Sequence, residues 1–272
     1  MSGQDLVRAL IITGYGLNCE AETEAAFRLA GAQAEQVHLN DLLDGSRSLD
    51  DFHILAFIGG FAFGDHLGAG TVFATRVKYR MGEDLARFVE EGKLVVGICN
   101  GFQTLVKLGL LPGFGGSLFD RSVTLSWNDT GVFRDAWVRV RANPRSPCVF
   151  TRGLDLLDLP VRHGEGKFVA RDQATLDRVV SENLVALQYA DPATGEPTEA
   201  FPHNPNGSAA AVAGICNPSG RIFGLMPHPE AYLFPENHPQ WPRRPVAIDP
   251  AAEGQGVRLF RNAVNFAAEN LV

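Results

Sequence analysis

Short apolar runs recur along the chain at residues 9–13, 54–58, 94–98, 185–189, 209–215 and 222–226. Several are apolar on both faces, which is the pattern of strands covered by helices on two sides. Helical spacing lies between and after them. Residues 20–30 read as a helix closed by Gly31, and residues 73–91 as one or two helices stopping at Gly92. Residues 100–111 read as a helix closed by Pro112-Gly113. The last helix, residues 256–271, carries an apolar stripe through Leu259, Phe260, Val264 and Phe266. Strands alternating with helices in the first half predict an α/β fold. The expected architecture is a doubly wound, mostly parallel sheet with helices on both faces. Residues 117–169 alternate without intervening helices and predict an antiparallel extension at the sheet edge. Asn217-Pro218-Ser219-Gly220 predicts a hairpin turn between two strands.

No repeat, low-complexity tract or domain boundary interrupts this order, so residues 1–272 are expected to form a single domain. Five prolines (235, 239, 242, 245 and 250) mark residues 235–250 as a surface loop. It is long enough for a lid or partner surface, and equally readable as a solvated excursion. With 45% apolar and 20% charged residues the composition is that of a folded domain, which excludes a disordered chain. The net charge of -7 repels phosphate backbones and argues against nucleic acid as a partner. No apolar run approaches the ~20 residues of a membrane span, and the start of the chain lacks a signal-peptide layout. The four cysteines (19, 99, 148 and 216) contain no C-x-x-C pair, which disfavours disulfides and structural zinc and fits a cytoplasmic location.

Three segments carry chemistry. The strand Val95-Val96-Gly97-Ile98 runs into Cys99-Asn100-Gly101-Phe102-Gln103, and a helix follows at once. This is a cysteine form of the nucleophile elbow: glycines on either side allow a sharp turn that lifts Cys99 above the strand end. The helix start favours negative charge on the sulfur. A buried cysteine at a tight turn would carry the same letters, so context has to decide. Met226-Pro227-His228-Pro229-Glu230 follows another strand, and the prolines predict an extended backbone on which His228 and Glu230 point the same way. Glu230 would then fix the imidazole tautomer and leave the other nitrogen for a thiol. With no second histidine at ligand spacing, metal binding is the weaker reading. The third segment, Gly59-Gly60-Phe61-Ala62-Phe63-Gly64-Asp65, follows the strand at 54–58. Backbone N–H groups of Gly60 and Asn100 are candidate oxyanion donors. Gly59 and Gly64 have phosphate-loop spacing, but Asp65 and His66 stand where Lys and Ser/Thr are required, so no nucleotide cofactor is expected.

Three strand ends therefore supply oxyanion donors, a nucleophile and a base with its orienter. At this point the chain resembles the class I, triad-type glutamine amidotransferases, which have a flavodoxin-like fold. It is most similar to the glutaminase subunits (PurQ type) of phosphoribosylformylglycinamidine synthase. The stretches that carry the likeness are GYGLNCE at 14–20, GGFAFGDHLGAG at 59–70 and GICNGFQ at 97–103. Further on come LLPG at 110–113, HGEGKF at 163–168, PNGS at 205–208 and MPHPE at 226–230. The resemblance implies that Cys99 attacks the side-chain amide of L-glutamine while His228, held by Glu230, shuttles the proton. It implies substrate contacts from Gly59, Gln103, His163 and Gly164. It implies no cofactor or metal in this chain, with ATP and Mg on a partner synthetase of purine biosynthesis, and a small third subunit. A chain of this length beginning at Met1 suits a free-standing subunit. Ile58 stands where the family usually has proline, and Ala231 where arginine is common; neither removes a catalytic group. Another amidotransferase or γ-glutamyl hydrolase on the same scaffold, or a non-catalytic regulatory subunit, are the alternatives.

Overall fold

The computed structural model describes residues 6–114, 119–243 and 252–272. The first strands are β1 (Arg8–Thr13), β2 (Gln33–His38), β3 (Ile54–Phe57) and β4 (Leu94–Ile98). After them come β5 (Val123–Ser126), β6 (Arg134–Ala142), β7 (Leu156–His163), β8 (Lys167–Ala170), β9 (Val185–Ala190), β10 (Val212–Cys216) and β11 (Ile222–Leu225). The α-helices are α1 (Glu20–Leu29), α2 (Leu39–Leu43), α3 (Thr71–Glu90), α4 (Asn100–Leu108), α5 (Gln173–Ser181) and α6 (Val257–Asn270).

Nine strands form one sheet in the order β2-β1-β3-β4-β11-β10-β9-β6-β7. Strands β2 to β11 in that order pair in parallel, and the remainder pair antiparallel. Strands β3, β4 and β11 are buried at every position, because helices cover both faces. From β1 the chain steps one way to β2 and then back past β1 to β3, so right-handed crossovers place the connecting helices on opposite faces. One layer packs α1 against α6 through an edge-to-face Phe27–Phe260 pair with centroids 4.9 Å apart. The other packs α3 and α4, with Phe73 edge-on to Phe57 of β3 at 6.3 Å.

All six expected strands and four expected helices are present, with two differences in their bounds. Helix α4 ends at Leu108, because Gly109 adopts a left-handed φ of 76° and its N–H closes the last turn. The run expected as a strand from 209 starts as a 3-10 turn at Ala209–Ala211, and pairing begins only at Val212. The one or two helices expected at 73–91 are the single helix α3, capped by Glu91 and with an irregular step at Met81 (φ -142°). The antiparallel extension is there as β6 and β7 at the sheet edge, but β5 and β8 pair separately as a two-stranded ribbon. Three further elements went unread in the sequence, the short helix α2 among them. Strand β2 is an edge strand in which only Ala34 and Val37 are buried, with little apolar content. Helix α5 is started by Asp172, whose carboxylate accepts from Thr175 N at 2.8 Å. Of the proline-rich loop, residues 235–243 carry two short 3-10 turns; Pro245 and Pro250 lie outside the described residues. Among the described residues no helix is long and apolar enough to cross a membrane.

Candidate active site

Strands β3, β4 and β11 are neighbours in the sheet, with Phe57 opposite Gly97 and Leu225 opposite Ile98. Their carboxyl ends therefore bring the glycine loop, Cys99 and His228 into one place. Cys99 caps α4 with φ 51° and ψ -106°, a conformation that costs a non-glycine residue ~1–3 kcal/mol. The surroundings hold it there: Cys99 N–H donates to Leu225 O at 2.8 Å. The flanking glycines answer to packing. A Cβ on Gly101 would lie 1.9 Å from the Phe57 carbonyl oxygen, and one on Gly97 would lie 2.7 Å from the Gly101 carbonyl. Without side chains there, the start of α4 sits directly on β3 and aims the sulfur past the sheet. Cys99 is nearly buried, with Sγ 3.5 Å from the Arg162 carbonyl.

His228 Nδ1 lies 2.6 Å from Glu230 Oε1, and both side chains are buried. The expected extended backbone is not what brings them together. Pro229–Ala231 forms a 3-10 turn, since Pro229 at its first position and the Ala231 N–H to His228 O bond favour a tight turn. The two-residue spacing still pairs the side chains because the turn folds Glu230 back beneath the ring. Burial pushes the His228 ring down, but the Glu230 carboxylate and the nearby Cys99 and Cys19 thiols outweigh it and hold its pKa well above 6.5. His228 N–H donates to Pro160 O at 2.8 Å, which ties the base to β7.

A cavity of about 410 Å³ opens in front of Cys99, lined among others by Gly60, Gln103, His163, Gly164 and Glu165. His228 and Glu230 are not among the residues that line it. Gly60 takes φ 138°, which suits glycine alone, and a Cβ there would meet Leu17 Cα at 2.6 Å. The loop is pinned on either side of it by Phe61 N to Gly16 O and Asn18 N to Gly59 O, and the Gly60 N–H takes part in neither bond. Gly59 does not line the cavity; it packs against the His228 ring and Cys19.

Gln103 lines the cavity and is also tied into the protein. Its amide donates to Glu165 O at 2.6 Å and accepts from Asn100 Nδ2 at 3.0 Å, so both ends are committed to the protein. Asn100 Nδ2 also donates to Asp65 Oδ1 at 3.0 Å, and its Oδ1 accepts from Ala62 N at 3.3 Å. Glu165 Oε2 accepts from Ala69 N at 3.1 Å. Asp65, Asn100, Gln103 and Glu165 thus lace the glycine loop, the nucleophile helix and the 163–166 turn together. Asp65 and Glu165 went unread as site residues; their signal is a partner 35 or 62 residues away.

His163 is buried at the end of β7, with Nδ1 3.1 Å from Asn128 Oδ1. Asn128 Nδ2 donates to the His163 and Val132 carbonyls, so its Oδ1 is the acceptor and the His163 proton sits on Nδ1. Nε2 is then a bare acceptor, and it has no protein partner. Burial, with the nearby His228 charge, pushes this ring down to about 3. The unfolded histidine takes its proton near pH 6.5, so between these values the unfolded chain holds more protons. His163 therefore makes stability fall as pH drops from about 6.5 toward 3. His228 has the opposite sign: the stability it brings is full below 6.5 and is lost as pH rises through its raised folded value. Urea unfolding midpoints at about pH 7, 5.5 and 4.5 will decrease in that order. His163→Gln will flatten the decrease, and an unchanged slope would remove His163 as its source.

Asn206 and Ser208, from the turn 205–208, hold this region from behind. Asn206 Nδ2 donates to Gly166 O at 2.8 Å, and Ser208 Oγ accepts from Phe168 N at 2.9 Å. The turn is thus a buried support for the 163–168 segment.

Comparison with known proteins matches residues 6–267 to the CobB/CobQ-like glutamine amidotransferase domain. The chain is 44% identical over 264 residues to phosphoribosylformylglycinamidine synthase subunit PurQ of Dehalococcoides mccartyi, covering 97% of this chain and 98% of that one. It is 39% identical to the subunit of the same name from Methanococcus maripaludis, covering 95% and 97%. Among solved structures it is similar to a chain of PurLQS from Thermotoga maritima. The TM-score there is 0.69 and the identity 27%, covering 96% of this chain and 99% of that chain.

Proposed function

The chain belongs to the glutamine amidotransferases of the PurQ type, and from that premise we propose that it is the glutaminase subunit of phosphoribosylformylglycinamidine synthase. In this reading it hydrolyses L-glutamine and passes ammonia to an ATP-dependent synthetase subunit, which converts formylglycinamide ribonucleotide to formylglycinamidine ribonucleotide. A small third subunit completes the assembly. The observation that carries the reading is the meeting of Cys99, the His228–Glu230 pair and the Gly59-Gly60 loop at the ends of three adjacent strands.

The Cys99 sulfur adds to the side-chain amide carbon of glutamine, giving a tetrahedral oxyanion, and the Gly60 and Asn100 N–H groups donate to it in this reading. His228 takes the thiol proton and gives it to the departing nitrogen, so ammonia leaves and a γ-glutamyl thioester remains. Glu230 keeps the ring oriented and stabilises its charged form. Water, deprotonated by the same ring, then attacks the thioester and releases glutamate. His163 Nε2, a buried acceptor at the cavity, suits the α-ammonium end of glutamine. Gly164 lines the same wall. The Gln103 network holds that wall and the elbow in register.

The test is glutamate formation from L-glutamine, measured with and without the synthetase, its ATP and its ribonucleotide. Activity rises when the synthetase is present, because release of free ammonia wastes glutamine. Equal activity in both mixtures would return the partner to question, and no activity in either would favour a regulatory subunit on this fold.

A further inference from the structure

Cys19 lies in the segment that resembles the family, yet the reaction above does not use it. It stands at the start of the ten-residue helix α1, half-buried, and the loop 14–19 carries it to the crevice beside β3. There its Sγ, a ring nitrogen of His228 and a carboxylate oxygen of Glu230 all lie within 4.8 Å of one another. Glu230 Oε2 and His228 Nε2 are each buried without a hydrogen-bond partner. The backbone makes room for this meeting: a Cβ on Gly59 would lie 3.0 Å from Cys19 Sγ and 2.8 Å from His228 Cε1.

We propose that Cys19, His228 and Glu230 form an inhibitory site for a thiophilic divalent cation such as Zn²⁺. One thiolate, one imidazole and one carboxylate are the donor types of three-ligand zinc sites, in which the fourth position stays open. Bond lengths of ~2.0–2.3 Å put ligand atoms on the order of 3.5 Å apart, so the outer separations close by about 1 Å while the His228–Glu230 pair, now 2.6 Å apart, opens by about as much. The two negative groups neutralise the ion, which is the condition for placing it in a buried setting. Partial exposure of Cys19 gives the ion a way in.

The consequence for turnover rests on the glutaminase reading. An imidazole bound to metal has no lone pair for the Cys99 proton, and a metal-bound carboxylate no longer orients the ring. Metal and glutamine hydrolysis therefore compete for one histidine. Binding releases the Cys19 proton and the extra proton of the charged His228 ring, so the site tightens as pH rises.

The first experiment needs no turnover. Co²⁺ is titrated into the Cys99→Ala protein, where Cys19 is the thiol left at the site, and near-ultraviolet thiolate-to-cobalt absorption is followed. The band appears, Zn²⁺ displaces it, and it is lost in Cys19→Ser/Cys99→Ala and Cys19→Ala/Cys99→Ala, with circular dichroism checking that each is folded. No band in Cys99→Ala, or the same band in folded double variants, overturns the site. The second experiment titrates Zn²⁺ against glutaminase activity, each variant normalised to its own uninhibited rate. Cys19→Ser raises the inhibitory concentration about 10-fold or more. Equal sensitivity of the native protein and Cys19→Ser overturns the inhibitory role. A glutaminase-silent protein that still shows the cobalt band would count against the reaction and leave the metal site standing.

Discussion

Cys99→Ala will lower glutamate formation from L-glutamine by about 10⁴- to 10⁶-fold and leave the fold intact. The size follows from the role: without the sulfur no thioester forms, and neither His228 nor the oxyanion donors can supply a nucleophile. The survival of the fold follows from the geometry. Alanine keeps the Cβ and hence the strained φ of 51°, and the Cys99 N–H to Leu225 O bond is backbone and stays. The lost sulfur touches the Arg162 carbonyl at only 3.5 Å, so the unfolding free energy will change by about 1 kcal/mol or less. Cys99→Gly separates the two properties. It will be as inactive as the alanine variant but more stable than it, because glycine accepts this conformation without strain. Retained turnover in Cys99→Ala would end the covalent mechanism.

Gly101→Ala carries the second large effect, without touching a reacting group. Its Cβ would meet the Phe57 carbonyl oxygen at 1.9 Å, a backbone atom in the middle of the sheet that has nowhere to go. The first turn of α4 must lift off β3, taking Cys99 and the Asn100 N–H with it. Displacement of a nucleophile by about 1 Å costs on the order of 10²-fold in rate, and overpacking of this kind costs about 1–3 kcal/mol or more. Both losses will appear together. Gly82→Ala is the control: it sits within α3, where the added Cβ meets only Phe119 at 3.6 Å. That variant will keep full activity and gain up to ~1 kcal/mol from helix propensity. Full activity in Gly101→Ala would show that the elbow tolerates a looser seat than the packing indicates.

Much of this site is legible along the chain because its parts are local. The elbow is written within seven residues, since a strand, a tight turn and a helix start each need particular neighbours. The pairing of His228 with Glu230 is written in a two-residue spacing, and it survives the turn that replaces the extended backbone. The buried strands are legible because apolar runs mark elements covered on both faces. Strand β2 is not, because a polar edge strand owes its place to β1 and not to its own residues.

The sequence by itself therefore determined the layered α/β plan and picked out Cys99, the His228–Glu230 pair and the glycine loop as candidates, all of which depend on near neighbours. Only the tertiary structure decided what lies beside what. It set β3, β4 and β11 side by side so that three strand ends converge, linked Gln103 to Asn100 and Glu165, and left His163 a neutral acceptor. It also brought Cys19 to the His228–Glu230 pair across more than two hundred residues of chain. The reason is physical: hydrogen bonds, desolvation and metal-ligand distances depend on separation in space, and composition and spacing report only separation along the backbone.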